Sequence, residues 1–283
     1  MLRVGFRTGV AAIAATAGFC VLPAISSAKT VTSTFNKNLQ GWTVQGDPAT
    51  GSPFWASTGG NPGGYLSAVD GGQGQDMVAI APKGFRGNKG VFYGGTLSFD
   101  RQIDDTSGGA YFTPPDDVTL VGDGGISVDF TLATPPGADW TRQQITLLPQ
   151  DTSDGTSAAT LQAVLSSLTS VGIEIEYIGG GETDDLDNVV LATPSKPKLT
   201  AAAKEAFTTG TAGSFTIKAA GSPFPALTES GTLPSGVTFV DNGDGTATVS
   251  GTPAAGSAGT YPVTVTATNA SGTTHKTVKI IVS

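Results

Sequence analysis

Hydrophobic residues recur at every second position through much of this chain. Leu97 and Phe99 alternate with Ser98 and Asp100, and Ile126, Val128 and Phe130 alternate with Ser127, Asp129 and Thr131. Further on, Ile173, Ile175 and Tyr177 alternate with Glu174 and Glu176. A period of two puts one set of side chains on a core and the other in water, which predicts half-buried antiparallel strands. Glycine and proline clusters cut the runs short, as at Gly59-Gly60-Asn61-Pro62-Gly63-Gly64 and Thr134-Pro135-Pro136-Gly137. One stretch has helical spacing: Ala158, Leu161, Val164, Leu165 and Leu168 recur at three and four after a Ser153-Asp154 cap region. A single short helix among many strands predicts a β-sandwich with a decorated edge.

The C-terminal part continues the alternation, with strands expected at Ser214–Ala219, Gly236–Val240, Thr246–Ser250, Tyr261–Asn269 and Lys276–Val282. Between the second and third, Asp241-Asn242-Gly243-Asp244-Gly245 is a hairpin signal, because Asn-Gly and Asp-Gly accept positive φ at little cost. About seven short strands in this length predict an immunoglobulin-like sandwich. Thr193-Pro194-Ser195-Lys196-Pro197-Lys198 carries two prolines and two lysines between apolar runs and is expected to be a stiff, solvated connector. The expected organisation is therefore all-β, with a first sandwich over 29–194, a linker over 195–198 and a second sandwich over 199–283.

Residues 1–28 have the order of a secretory leader: Arg3 and Arg7, an apolar run from Val10 to Ala24, then Ser26-Ser27-Ala28 at the cleavage position. Pro23 breaks that run before a full bilayer span, which favours cleavage over anchoring. Cys20 follows bulky Phe19 where a lipid-modification site would want a small residue, so it is expected to leave with the leader. What remains is acidic, with 23 Asp and Glu against two fewer than the chain's 15 Lys and Arg. That surface argues against nucleic acid and anionic lipid as partners and suits a protein exported into solution, with no membrane insertion after cleavage. It is also compatible with divalent cations.

Without Cys20 there is no cysteine and one histidine, His275. That inventory excludes a disulfide framework, a thiolate nucleophile and a Cys/His zinc site. A Ser/His/Asp triad fails too, since no Gly-x-Ser-x-Gly elbow exists and His275 falls on the expected last strand, a surface position. The glycine-rich runs lack the spacing and following helix of a phosphate loop. A non-catalytic binding protein is the expected class.

The second sandwich resembles the He-PIG family of immunoglobulin-like modules of bacterial secreted proteins. The matching residues run from Gly231 to Phe239 (GTLPSGVTF), from Asp244 to Pro253 (DGTATVSGTP) and from Gly259 to Asn269 (GTYPVTVTATN). The resemblance implies a cadherin-like sandwich used for extracellular spacing or adhesion, sometimes with calcium, and no reaction. The first sandwich resembles the laminin IV type A (laminin B) domain, a jelly roll related in shape to galactose-binding modules. Phe35 through Gly41-Trp42, Phe54-Trp55, Gly60 to Leu66 (GNPGGYL), Tyr93 to Arg101 (YGGTLSFDR), Leu161–Leu168 running into Ile173–Tyr177, and Leu186-Asp187-Asn188-Val189 carry it. The disulfide-rich repeats that flank the animal domains are absent, so fold transfers and matrix assembly does not.

Asp184-Asp185-Leu186-Asp187 is the metal candidate, because calcium takes six to eight hard oxygens including carboxylates. Resemblance to jelly-roll sugar-binding modules implies an ion pinning the first and last strands, with Asp187 and an oxygen near Asn36 as the pair and Asp184 beside them. The alternative is a solvated acidic loop. Asp241–Gly245 lacks the alternating acids and distal Glu of an EF-hand and is expected to be a plain turn. Trp55, Tyr65, Tyr93 and Trp140 are the candidates for stacking on sugar C–H groups, while Trp42 at a strand start is expected in the core. Glu174 and Glu176 would stand about 7 Å apart on one strand face. Glycosidases use paired carboxylates at similar separations, but side chains at i and i+2 point in parallel and do not flank a bond. The polar face of a strand is the simpler reading of the two. The expected function is recognition of an extracellular glycan or cell-surface partner by the first sandwich, with the second as spacer and calcium as a structural ion. The alternative is a purely structural or adhesive protein.

Overall fold

The computed structural model describes residues 28–72, 74–104, 111, 113, 114, 116–132, 134–178 and 181–283. The expected leader, including Cys20, lies outside the described residues apart from Ala28. Among the described residues, no helix is long and apolar enough to cross a membrane.

The larger sandwich begins with β1 (Thr30–Ser33), β2 (Thr43–Gln45), β3 (Phe54–Gly60), β4 (Gly63–Val69) and β5 (Val78–Ile80). It continues through β6 (Thr96–Asp104), β7 (Val118–Val121), β8 (Ser127–Phe130), β9 (Thr141–Thr146), α1 (Ala158–Ser166), β10 (Ser170–Glu174) and β11 (Thr183–Ala192). One sheet has the order β3-β4-β11-β6-β9, with β1 also on β11, and the other β2-β5-β10-β7-β8. Their inner faces enclose a core that includes Phe35, Trp42, Leu66, Phe99, Val128, Phe130, Ile173 and Leu186. α1 starts at Ser157, whose hydroxyl accepts from the Thr160 amide, three residues later than the expected Ser153-Asp154 cap. Leu161, Val164 and Leu165 seat it on the sandwich.

β11 is the central strand of its sheet and carries a bulge. Its register against β6 shifts between Asp187 and Val190, with Asn188 at φ 48°. Asp185 and Asp187 therefore point outward before the bulge, while Val189 and Leu191 point into the core after it.

Two expectations fail here for a physical reason. Glu174 and Glu176 are not a wet strand face: both are buried, at 6% and 4% exposure. β10 stops at Glu174, whose carboxylate folds back to accept from the amides of Ile175 and Glu176, so the two-residue repeat ends. Ile126 is exposed and lies just outside β8.

The smaller sandwich comprises β12 (Ser195–Thr200), β13 (Lys204–Phe207), β14 (Gly213–Ser222), β15 (Ala226–Gly231), β16 (Val237–Asp241), β17 (Thr246–Gly251), β18 (Gly259–Asn269) and β19 (Gly272–Val282). Its sheets are β12-β14-β17-β16 and β13-β19-β18-β15, around Ile217, Leu227, Val249, Val263, Val265, Val278 and Ile280. Ser195–Lys198 do not form a solvated connector. They are the start of β12, paired with β14, and Pro197 is buried. A proline is tolerated there because β12 is an edge strand. The expected turn at Asp241–Gly245 is present: Asn242 donates to the Thr246 carbonyl, and Gly243 and Gly245 sit at φ 78° and 80°. His275 is exposed on β19 opposite Thr266.

Gly251 closes the β16–β17 pairing at φ 150°, where a Cβ would stand 2.0 Å from the Gly236 carbonyl oxygen and 2.9 Å from the Val237 Cα. Both are backbone atoms with little freedom to retreat. Gly251→Ala is expected to destabilise the smaller sandwich by about 2–3 kcal/mol, read from its urea midpoint. A cost below about 0.5 kcal/mol would contradict the register that pairs Val237 with Gly251.

Candidate functional site

The outward face of the β3-β4-β11-β6-β9 sheet gathers polar side chains in adjoining registers. Asp187 stands opposite Asp100, and Asp100 opposite Arg142. Asp187 Oδ2 accepts from the Asn61 amide at 2.8 Å and its Oδ1 from the Asn188 amide at 2.7 Å. Asp100 Oδ2 accepts from Asn188 Nδ2 at 2.8 Å and Asn61 Nδ2 at 3.2 Å, while Arg142 Nε lies 3.8 Å from Asp100 Oδ1. Burial pushes the Asp187 carboxyl up to about 6 and raises that of Asp100. Gly60 is required beside them, since a Cβ would meet Asp187 Oδ2 at 2.8 Å and the Gly64 carbonyl oxygen at 2.9 Å.

Beside this network Tyr65 and Trp140 meet edge to face, with ring centroids 5.4 Å apart, and Trp140 Nε1 donates to the Gly59 carbonyl at 2.9 Å. Past Trp140 the sheet faces the smaller sandwich across a cleft of about 550 Å³. Asn61, Trp140 and Arg142 line one side, and Lys218, Phe224 and Asp244 the other. The walls are tied together: the Arg142 guanidinium lies 5.3 Å from the Phe224 ring centroid, Phe224 N donates to Gln144 Oε1, and the hydroxyls of Thr96 and Ser222 are 2.9 Å apart.

Of the four aromatics expected on a ligand surface, the structure brings together only Tyr65 and Trp140. Tyr93 is buried in the core at 4% exposure. Trp55 is exposed but pairs in register with core Leu66, whereas Tyr65 pairs with Ala56, so Trp55 lies on the other face. Its Nε1 donates to the Phe35 carbonyl at 2.5 Å. Trp42 is in the core as expected.

The expected metal set does not converge. Asp184 and Asp187 are three apart on one strand and project to opposite faces, Asp184 inward with Leu186 and Asp187 outward. Both Asp187 oxygens already accept backbone amides. Asn36 is exposed, bonded to Thr34 and lying against Gly63. Nor are 184–187 a solvated loop: Asp184, Asp185 and Asp187 are all buried within β11. The cleft residues Asn61, Arg142 and Phe224 and the buried acids Asp47 and Asp70 are not singled out by the sequence, and Glu176 stands out there only as half of a pair with Glu174. Acid-glycine turns at Gly46-Asp47 and Asp70-Gly71 were the available local signal for two of them.

The laminin B (Domain IV) family model matches residues 79–206, and the He_PIG model, described as Putative Ig domain, matches residues 192–283. The chain joins a laminin-B-type domain to an Ig-type domain. The L4b domain of human laminin alpha-2 is similar at 15% identity over 41% of this chain and 70% of that one, with a TM-score of 0.35. The titin M3 domain matches at 22% identity over 31% of this chain and 96% of its own, with a TM-score of 0.26. An endo-fucoidan hydrolase of glycoside hydrolase family 107 matches at 29% identity over 32% of this chain and 17% of its own, with a TM-score of 0.28. No curated protein matches the chain. Both matched domain types are extracellular binding or structural modules and are typically non-catalytic.

Proposed function

We propose that this is a secreted, non-catalytic binding protein that recognises an extracellular carbohydrate in the cleft between its two sandwiches, its leader being removed near Ala28. The observation that carries the reading is the cleft itself, where Trp140 offers an aromatic surface beside the amide of Asn61 and the guanidinium of Arg142. Sugar recognition needs an apolar face for the C–H groups and fixed planar polar groups for neighbouring hydroxyls, and these residues supply both. Asp100 and Asp187 orient Asn61 from below, so its side chain is held before a ligand arrives. The Ig-type domain, by providing Lys218, Phe224 and Asp244, is then part of the site and more than a spacer.

The test is a glycan array on the mature protein, followed by calorimetry on any hit. Trp140→Ala is expected to weaken binding about tenfold, the size of a lost aromatic contact, while the melting temperature falls by only a few degrees for the lost Tyr65 and Gly59 contacts. Trp55→Ala, on the other face, is expected to bind as wild type. A blank array, or a hit that ignores Trp140→Ala, would leave a structural or adhesive role as the better account.

A further inference from the structure

Away from the cleft, at one end of the larger sandwich, four chain segments bring acids together. Asp47 follows β2, Asp70 follows β4, Glu176 follows β10, and Glu182 immediately precedes β11, which carries Asp184 as its second residue. Backbone hydrogen bonds lace the segments: Gly71 donates to the Asp47 carbonyl at 2.8 Å, Asp70 to that of Glu182 at 3.1 Å, and Ile175 to that of Met77 at 3.0 Å. Asp47, Asp70 and Glu176 are each buried, and one carboxylate oxygen from each lies within 4.8 Å of the others.

A second observation points to a ligand. Asp184 is fully buried on the inward face of β11, in register with Ala68 and Ile103, and neither of its carboxylate oxygens has a hydrogen-bond partner. The strand register sets it beside the same rim, since Asp184 pairs with Ala68, two residues before Asp70, and the Asp70 amide donates to the Glu182 carbonyl at 3.1 Å. Buried carboxylates are ordinarily paired with a cation or bound to a metal. Among the described residues, the two salt bridges are Arg101–Asp117 and Arg142–Asp100, and neither involves Asp70, Glu176 or Asp184.

We propose that Asp47, Asp70 and Glu176 bind a calcium ion at this rim, with Asp184 of β11 as the neighbouring buried carboxylate that the ion's charge would offset. The donors are hard oxygens, which suit calcium, and no cysteine or histidine is among them to favour zinc. The separation is close to what the ion needs: three oxygens within 4.8 Å of one another share a centre no more than about 2.8 Å from each, so shifts of a few tenths of an ångström bring them to the usual calcium–oxygen distance of about 2.3–2.6 Å. Magnesium keeps several waters and needs shorter bonds, so an enclosed cage of protein carboxylates disfavours it. Glu176 Oε2 accepts from the Met77 amide and Asp70 Oδ1 from the Gly72 amide, which orients both carboxylates and leaves one oxygen of each for the ion. The ion would clamp the loops after β2 and β4 to the ends of β10 and β11, joining the two sheets at that rim.

The mature protein, stripped with a chelator, is titrated with calcium chloride alone by calorimetry and by thermal melting. A one-to-one isotherm is expected, together with a melting transition that climbs with each tenfold rise in free calcium, because the ion stabilises only the state that binds it. Magnesium at the same concentration is expected to shift it less. Glu176→Gln and Asp70→Asn are each expected to weaken binding at least about tenfold. In chelator these variants should melt at or above the wild type, since a repelling charge is gone, which separates lost binding from failed folding. Asp187→Asn, on the outward face, should keep the ion. Identical melting in calcium and chelator with no binding heat would overturn the proposal. So would binding that survives Glu176→Gln and vanishes with Asp187→Asn.

Discussion

Arg101→Ala is expected to cost the larger sandwich about 3–5 kcal/mol, the penalty for stranding a buried charge by removing its partner. Arg101 is only 1% exposed. Its guanidinium donates to Gln143, to the Tyr177 hydroxyl, to the Glu174 carbonyl at 2.6 Å and to Asp117 at 3.3 Å, and it lies 4.5 Å from the Tyr177 ring centroid. Alanine would leave the Asp117 carboxylate buried at 3% exposure, with the Leu132 amide and the Tyr177 hydroxyl as remaining partners. Urea unfolding followed by tryptophan emission measures the loss, and the melting temperature should fall by on the order of 10 °C. Arg101→Lys keeps the charge and loses the planar fork, so it should fall between wild type and alanine. A loss below about 1 kcal/mol for alanine would mean that Arg101 is hydrated and not enclosed.

This polar knot does structural work that an apolar core alone would leave loose. Arg101 comes from β6 and Gln143 from β9 in one sheet, while Asp117 precedes β7 and Tyr177 follows β10 in the other. Apolar packing tolerates sliding of one sheet over another, but a five-donor fork satisfied on several sides fixes their relative position. Asp100 is the next residue on β6 and faces outward to Asn61 and Asn188. The inner anchor and the outer polar network are thus consecutive residues of a single strand.

Much of the architecture was legible because alternation is a local signal. Leu97, Phe99, Val128, Phe130, Ile173 and Ile175 are buried as the period of two requires, and each expected strand of the smaller sandwich overlaps an observed one. β12 was missed because Pro197 reads as a breaker when its edge position is unknown. The candidate site was legible only in part. Trp55 and Tyr65 look equivalent in sequence, yet pairing register sends them to opposite faces, and register depends on β4 and its bulged partner β3. Asp184 and Asp187 look like one acidic cluster, and the pleat separates them. Asp47, Asp70 and Glu176 converge from segments far apart in the chain, with no spacing for a motif to detect.

Trp42→Ala is the other large effect expected, at about 3–5 kcal/mol. Trp42 is 2% exposed and packs edge to face on Phe85, at a centroid distance of 5.5 Å, and against Phe35 at 6.0 Å. Its indole N–H donates at 2.9 Å to the hydroxyl of Ser33, itself buried at the end of β1. Alanine removes the ring that fills the space between Phe35 and Phe85, and close-packed neighbours relax only partly into such a gap. Trp42→Phe retains most of the volume but strands the Ser33 hydroxyl, so its cost should be about 1–3 kcal/mol. All three tryptophans, Trp42, Trp55 and Trp140, belong to the larger sandwich. Their emission therefore reports chiefly on that sandwich, with Trp140 alone also facing the smaller one across the cleft. Should Trp42→Ala shift the urea midpoint no more than Trp55→Ala does, Trp42 would not be the centre of the aromatic core.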